Sequence, residues 1–111
     1  MTTPEGRLKN EVTKYLHGLP RMFFWCVQDR FTSGIMDIVG CYKGLFFGIE
    51  LKAKGGRPTK LQSFRIRQVR DAGGKARVAY SLTQVHSLIK ELDNAYTKHR
   101  KTMPRASKKG E

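Results

Sequence analysis

The chain has 111 residues, 39% hydrophobic and 28% charged, which fits one domain with a single modest core. Lys and Arg number 22 against 9 Asp and Glu, a net charge of +13 that favours an anionic polymer as partner and says nothing about fold. No run approaches the roughly 18 apolar residues that span a bilayer, and no basic segment followed by an apolar one opens the chain, so the expectation is a cytoplasmic protein with no membrane partner.

Thr3 suits an N-cap and Pro4 the first position of a helix running to about Leu19. Leu8, Val12, Tyr15, Leu16 and Leu19 recur at helical spacing and form its buried stripe. Glu11 falls on that stripe. It reads equally as a boundary residue reaching solvent and as an acid aimed inward at a polar site. Met22 to Gln28 is aromatic and β-branched and reads as a strand buried on both faces. Cys26 and Cys41 both lie in apolar runs and read as reduced and partly buried. No Cys or His spacing suits zinc.

Ile35 to Tyr42 and Leu45 to Lys52 read as a hairpin turning at Lys43-Gly44. The implied register sets Tyr42 opposite Leu45 and Asp37 directly opposite Glu50. Like charges so placed are destabilising, which points to a cation between them. Glu50 and Lys52 share a face, about 6.6 Å apart along the strand. Gly48 then clears bulk beside Glu50. A basic loop, 53–58, leads to a helix from Lys60 to about Ala72, with Thr59 and Gln62 at capping-box spacing. Leu61, Phe64, Ile66, Val69 and Ala72 form its apolar side; Lys60, Arg65, Arg67 and Arg70 make its exposed surface positive. Ala76 to Tyr80 is a short strand, parallel to its neighbour because a helical crossover precedes it. Leu82 to about Tyr96 is the last helix. Residues 97–111 carry a net +5, lack periodicity and read as a disordered basic tail. The fold class is thus α/β: a small mixed sheet flanked by helices, in the order α-β-β-β-α-β-α, over residues 1–96.

Asp37 and Glu50 offer the hard oxygens that Mg²⁺ takes alongside waters and phosphate oxygens, with the Leu51 carbonyl adjacent. An ammonium at Lys52 suits the charge that develops on a phosphodiester under attack. Asp37 followed by Glu50-Leu51-Lys52 resembles the PD-(D/E)xK nuclease motif. The wider pattern resembles the VRR-NUC family over roughly Leu8 to Ile89: Ser33-Gly34-Ile35-Met36-Asp37, Gly48-Ile49-Glu50-Leu51-Lys52, Gln62, and Gly73-Gly74 before the last strand.

The resemblance implies a restriction-endonuclease-like core and a DNA endonuclease dependent on Mg²⁺ or Mn²⁺. It also implies a homodimer similar to Holliday junction resolvases, acting on branched DNA, of bacterial or phage type. By that match Asp37 and Glu50 are metal ligands, Lys52 is the catalytic lysine, Glu11 is the first-helix acid at the metal, and Gln62 helps position the site. Lys54, Arg57, Lys60 and Arg65 would meet DNA. Met36 departs from the family, which usually has proline there. Two competing readings remain: a non-catalytic nucleic-acid-binding module on the same fold, and a ribosome-associated basic protein with no metal affinity.

Overall fold

The structure, a computed structural model, describes residues 3–28 and 34–102. The elements are α1 (Pro4–His17), β1 (Met22–Cys26), β2 (Ile38–Tyr42), β3 (Leu45–Leu51), α2 (Lys60–Asp71), β4 (Lys75–Ala79) and α3 (Leu82–Thr102), in the expected order. The four strands form one sheet in the spatial order β1-β2-β3-β4. β1, β2 and β3 pair antiparallel, and β4 pairs parallel to β3. The crossover through α2 imposes that parallel pairing, because two short parallel strands cannot be joined by a hairpin.

Local chemistry explains the element ends. Thr3 Oγ1 accepts the Gly6 N–H at 2.9 Å, so the first turn of α1 has a side-chain acceptor for an orphan donor. The hairpin turns on Lys43 (φ 51°) and Gly44 (φ 85°), both left-handed, as a two-residue turn between twisted strands requires. Lysine disfavours that conformation. It is held there because Lys43 Nζ bonds Asp93 Oδ1 of α3 at 2.7 Å and lies over the Tyr42 and Tyr96 rings. The Tyr42 hydroxyl donates to the same Asp93 oxygen at 2.9 Å.

Two layers of side chains flank the sheet. The larger joins Leu8, Val12 and Leu16 of α1 to Ile38, Tyr42, Phe47, Ile49 and Leu51 of the hairpin and to Val85, Leu88, Ile89 and Leu92 of α3. The smaller lies under α2 and centres on Met36, Ile66 and Ala76, with Val39, Val69 and Val78 beside them. The alternation expected along β3 places Phe47, Ile49 and Leu51 in the first layer and leaves Gly48 and Glu50 facing the second.

Several expectations change. β1 is not buried on both faces: it is an edge strand in which Phe23 (66% exposed) and Trp25 (64%) face outward. α2 packs mainly over β3 and β4, so among the described residues the outward face of β1 is left largely uncovered on that side. Cys41 is exposed on that side rather than partly buried, and both cysteines are free thiols. Leu61 and Phe64, expected inward on α2, are exposed, and Ile66 carries the buried contact. Finally, α3 continues past Tyr96 through Thr102. The Arg21 guanidinium donates to the Tyr96 hydroxyl at 3.2 Å and anchors that stretch. The cations Arg100 and Lys101 in the last turn suit the helix C-terminus. The rest of the expected tail, 103–111, lies outside the described residues.

Gly48 serves packing rather than substrate access. A Cβ built there would lie 2.3 Å from Met36 Sδ, so the glycine makes room for a methionine that is completely buried. The residue departing from the family's usual proline is therefore the centre of the second layer. Gly48→Ala is expected to destabilise the fold by about 1–3 kcal/mol through overpacking, measured by urea unfolding. Met36→Ala in the same chain relieves the clash, so the double variant should lose less than the sum of the singles; strict additivity would show the two residues are not in contact.

Candidate active site

The β2–β3 ladder has the register read from the sequence, with Tyr42 paired to Leu45 and Ile38 to Ile49. It ends there, one pair short of Asp37 and Glu50. The two carboxylates are therefore not a cross-strand pair, which like charges disfavour. Beyond the ladder, Asp37 Oδ2 accepts the Leu51 N–H at 2.8 Å, doing the work of a main-chain acceptor. The Asp37 carbonyl accepts the Val27 N–H at 2.8 Å, which ties the segment to the chain leaving β1. Asp37 is thus fixed at the mouth of the hairpin by main-chain bonds on both sides.

Glu50 is 2% exposed and is the buried charged residue of the described chain. Its Oε2 accepts from Gln62 Nε2 at 2.8 Å and lies 3.5 Å from Lys52 Nζ. Its Oε1 is buried with no hydrogen-bond partner. Burial, and then the nearby Asp37 charge, push the Glu50 carboxyl up to about 7, while Lys52 pulls the other way. Lys52 follows β3 directly. Its N–H bonds the Ala79 carbonyl at 3.1 Å, extending the parallel pairing and keeping its side chain on the Glu50 face.

Gln62 does two things with one amide. Its Oε1 accepts the Thr59 N–H at 2.8 Å while its own N–H donates to Thr59 Oγ1 at 3.1 Å, completing the capping box. With Oε1 committed to the cap, Nε2 is left pointing at Glu50. The cap that starts α2 is therefore also the clamp on the buried carboxylate.

The structure does not bring Glu11 to this site. Glu11 is exposed, on the flank of the Leu8–Val12–Leu16 stripe away from Asp37. The acid that α1 offers is Glu5, which with Lys9, Asp37 and Leu51 lines a recess of about 190 Å³. Glu5 lies three residues before Leu8 and seven before Val12, in line with the buried stripe at the N-terminal end of α1. An acid in the first turn of a helix also complements its dipole, so the residue type alone does not mark Glu5 as a site residue. Of the cations expected to meet DNA, Lys54, Arg57 and Lys60 are exposed on the loop before α2 and at its head. Arg65 sits apart from them. Its Nη1 donates to Gln68 Oε1 at 2.8 Å and it packs against the Phe64 ring, beside the apolar side of α2.

Among the described residues no group of three or more His, Cys, Asp or Glu side chains gathers in metal-binding geometry. The Asp37 charge acts on the Glu50 carboxyl, and one Glu50 oxygen is buried and unsatisfied. That set fits a hard divalent cation that leaves its other positions to water and phosphate oxygens.

The fold is similar to that of a solved structure described as "VRR_NUC domain". The two share 23% identity, with 80% of this chain and 97% of that chain covered and a TM-score of 0.68. No protein-family model and no curated protein matches the sequence.

The raised Glu50 value has a consequence for stability. Without metal the folded state holds this proton up to about 7, whereas an unfolded glutamate releases it near 4.5. Proton binding by the folded state means that the stability from this group is full below the unfolded value and is lost as pH rises between the two. Melting in a chelating buffer should show the midpoint of Glu50→Gln declining less steeply over that window than that of the wild type. Equal slopes would show that Glu50 is not buried as a carboxyl.

Proposed function

We propose that this chain, which has the fold of a VRR_NUC domain, is a nuclease that hydrolyses DNA phosphodiester bonds with Mg²⁺ or Mn²⁺. The observation that carries the reading is Glu50: a buried acid clamped by Gln62 and Lys52, beside Asp37, with one oxygen left without a partner. A purely structural carboxylate buried this deeply would be expected to satisfy both oxygens. Asp37 and Glu50 would hold the cation, with the Leu51 carbonyl beside them and Glu5 lining the recess next to Asp37. Such an ion supplies Lewis-acid activation of phosphate and water.

The chain's own residues do the rest. Gln62 holds Glu50 in one rotamer by binding Oε2, so the acid loses no geometry when substrate arrives. Lys52, with 20% of its side chain exposed, keeps an ammonium near Glu50 where it can orient water and offset the negative charge that grows on the phosphoryl oxygens. Asp37, locked by the Leu51 N–H, sets the distance between the two carboxylates. Lys54, Arg57 and Lys60 draw the DNA backbone toward the site.

The finer reading is a homodimer acting on branched DNA, where two sites make paired nicks. It is supported by the uncovered sheet face carrying Phe23, Trp25 and Phe46, and by an adjoining groove of about 470 Å³ lined by Ile35, Met36, Phe46 and Val69. Monomers seldom leave so many large apolar side chains together in water. A second copy of the chain is the occupant that the branched-DNA reading requires.

Incubation with branched and linear DNA tests the chemistry. Cutting should need Mg²⁺ or Mn²⁺, vanish in Asp37→Ala and Glu50→Ala, fall about 10²–10³-fold in Lys52→Ala, and persist in Glu11→Gln. Metal-dependent cutting that survives Asp37→Ala would sink the site assignment; binding without any cutting would favour the non-catalytic module. Sedimentation tests the assembly: the wild type should run as a dimer and Phe23→Ser/Trp25→Ser as a monomer with its metal-induced stabilisation intact. A wild-type monomer would remove the dimer from the reading.

A further inference from the structure

α2 divides its cations between two sides. Arg65 turns to the apolar side. Lys60, Ser63, Arg67 and Arg70 follow at spacings of three, four and three residues, which aligns them on one stripe of the helix. That stripe overhangs a cleft of about 540 Å³ floored by Ile66 of α2 and Val78 of β4. Val78 is the register partner of Glu50 on the neighbouring strand. The cleft therefore begins on the strand next to the one that carries Glu50, about 4.8 Å away backbone to backbone, and leads away beneath α2.

A positive helix face is often no more than a solvated surface. Three observations set this one apart. No salt bridge among the described residues involves Lys60, Arg67 or Arg70; the pairs present are Lys43–Asp93, Lys52–Glu50 and Arg77–Glu91. Lys60 opens α2, where the helix dipole disfavours a cation, and the first turn holds no acid to offset it. Arg70 donates Nε to the Ala76 carbonyl at 2.9 Å, which fixes its guanidinium across the α2–β4 edge and leaves its outer nitrogens for another acceptor. A planar donor fork held in advance suits a phosphate.

We infer that this α2–β4 cleft binds the phosphodiester backbone of the DNA strand as it leaves the cleavage site. The inference rests on the nuclease reading and names where its substrate lies. Lys60 to Arg70 spans about 15 Å of helix, which matches the rise of four to five nucleotides at about 3.4 Å each. Lys60, Arg67 and Arg70 meet phosphates spaced along that stretch, and the Ser63 hydroxyl can donate to one between Lys60 and Arg67. The contacts read the backbone alone, so they set position and direction without choosing sequence.

The test measures affinity of the full chain for labelled duplex DNA across a salt series, with Ca²⁺ in place of Mg²⁺ to hold cutting back. Lys60→Gln/Arg67→Gln should lower the slope of log affinity against log salt by about 1.8, or ~0.9 for each lost phosphate contact. Its melting temperature and its stabilisation by Mn²⁺ should stay as in the wild type. Lys14→Gln/Lys90→Gln removes equal charge from exposed positions on α1 and α3, on the other side of the sheet, and should leave the slope unchanged. Equal losses in both double variants would reduce the effect to net charge and overturn the inference. An unchanged slope in Lys60→Gln/Arg67→Gln, with wild-type binding and cutting intact, would overturn the cleft while leaving the nuclease reading standing. A wild type that binds no DNA would overturn both.

Discussion

The Gln62–Glu50 hydrogen bond joins the two halves of this molecule. Glu50 stands on β3, between β2 and β4 in the sheet; Gln62 stands in the first turn of α2, the crossover helix. One amide caps that helix and holds the buried acid. The start of α2 therefore cannot shift relative to β3 without breaking either its own cap or its grip on the carboxylate. Burying a charged group costs free energy unless its partners are in place, so the packing of α2 on β3 and β4 and the geometry of the site are one problem with one solution.

The layers beside the sheet follow from that arrangement. α1 and α3 cover one face in full, and the larger apolar layer lies there. α2 covers only half of the other, where Met36 fills the hollow left by Gly48. The uncovered half carries Phe23, Trp25 and Cys41. On α2 itself, charge and apolar surface sit on opposite flanks, with Arg65 on the apolar one. A chain with a net charge of +13 therefore has distinct surfaces: a basic cleft next to the acids, and an aromatic shelf on the same side of the sheet at its other edge.

The hairpin register, the capping box at Thr59 and Gln62, the parallel last strand and the shared face of Glu50 and Lys52 were all legible, because each depends on short-range periodicity or turn chemistry. The misreadings share a different cause. Met22 to Cys26 is apolar on both faces, and apolar residues look alike whether a helix covers them or not. Glu11 sits to one side of the α1 stripe and Glu5 in line with it, and how α1 docks on the sheet decides that Glu5 lines the recess beside Asp37. Tyr96 looked like an end because the apolar pattern fades there; α3 continues to Thr102, and Arg21, distant in sequence, reaches that tyrosine.

The sequence by itself determined the element order, the strand register and the acid and lysine types of the candidate site, since those are written in local spacing. Only the tertiary structure decided that Asp37 leaves the ladder for the Leu51 N–H, that Glu50 keeps one oxygen unsatisfied, that Gly48 exists for Met36, and that the acid near the site on α1 is Glu5. Each of these depends on the distance between groups far apart along the chain, and such distances are set by how helices pack on a sheet rather than by any residue's neighbours in sequence.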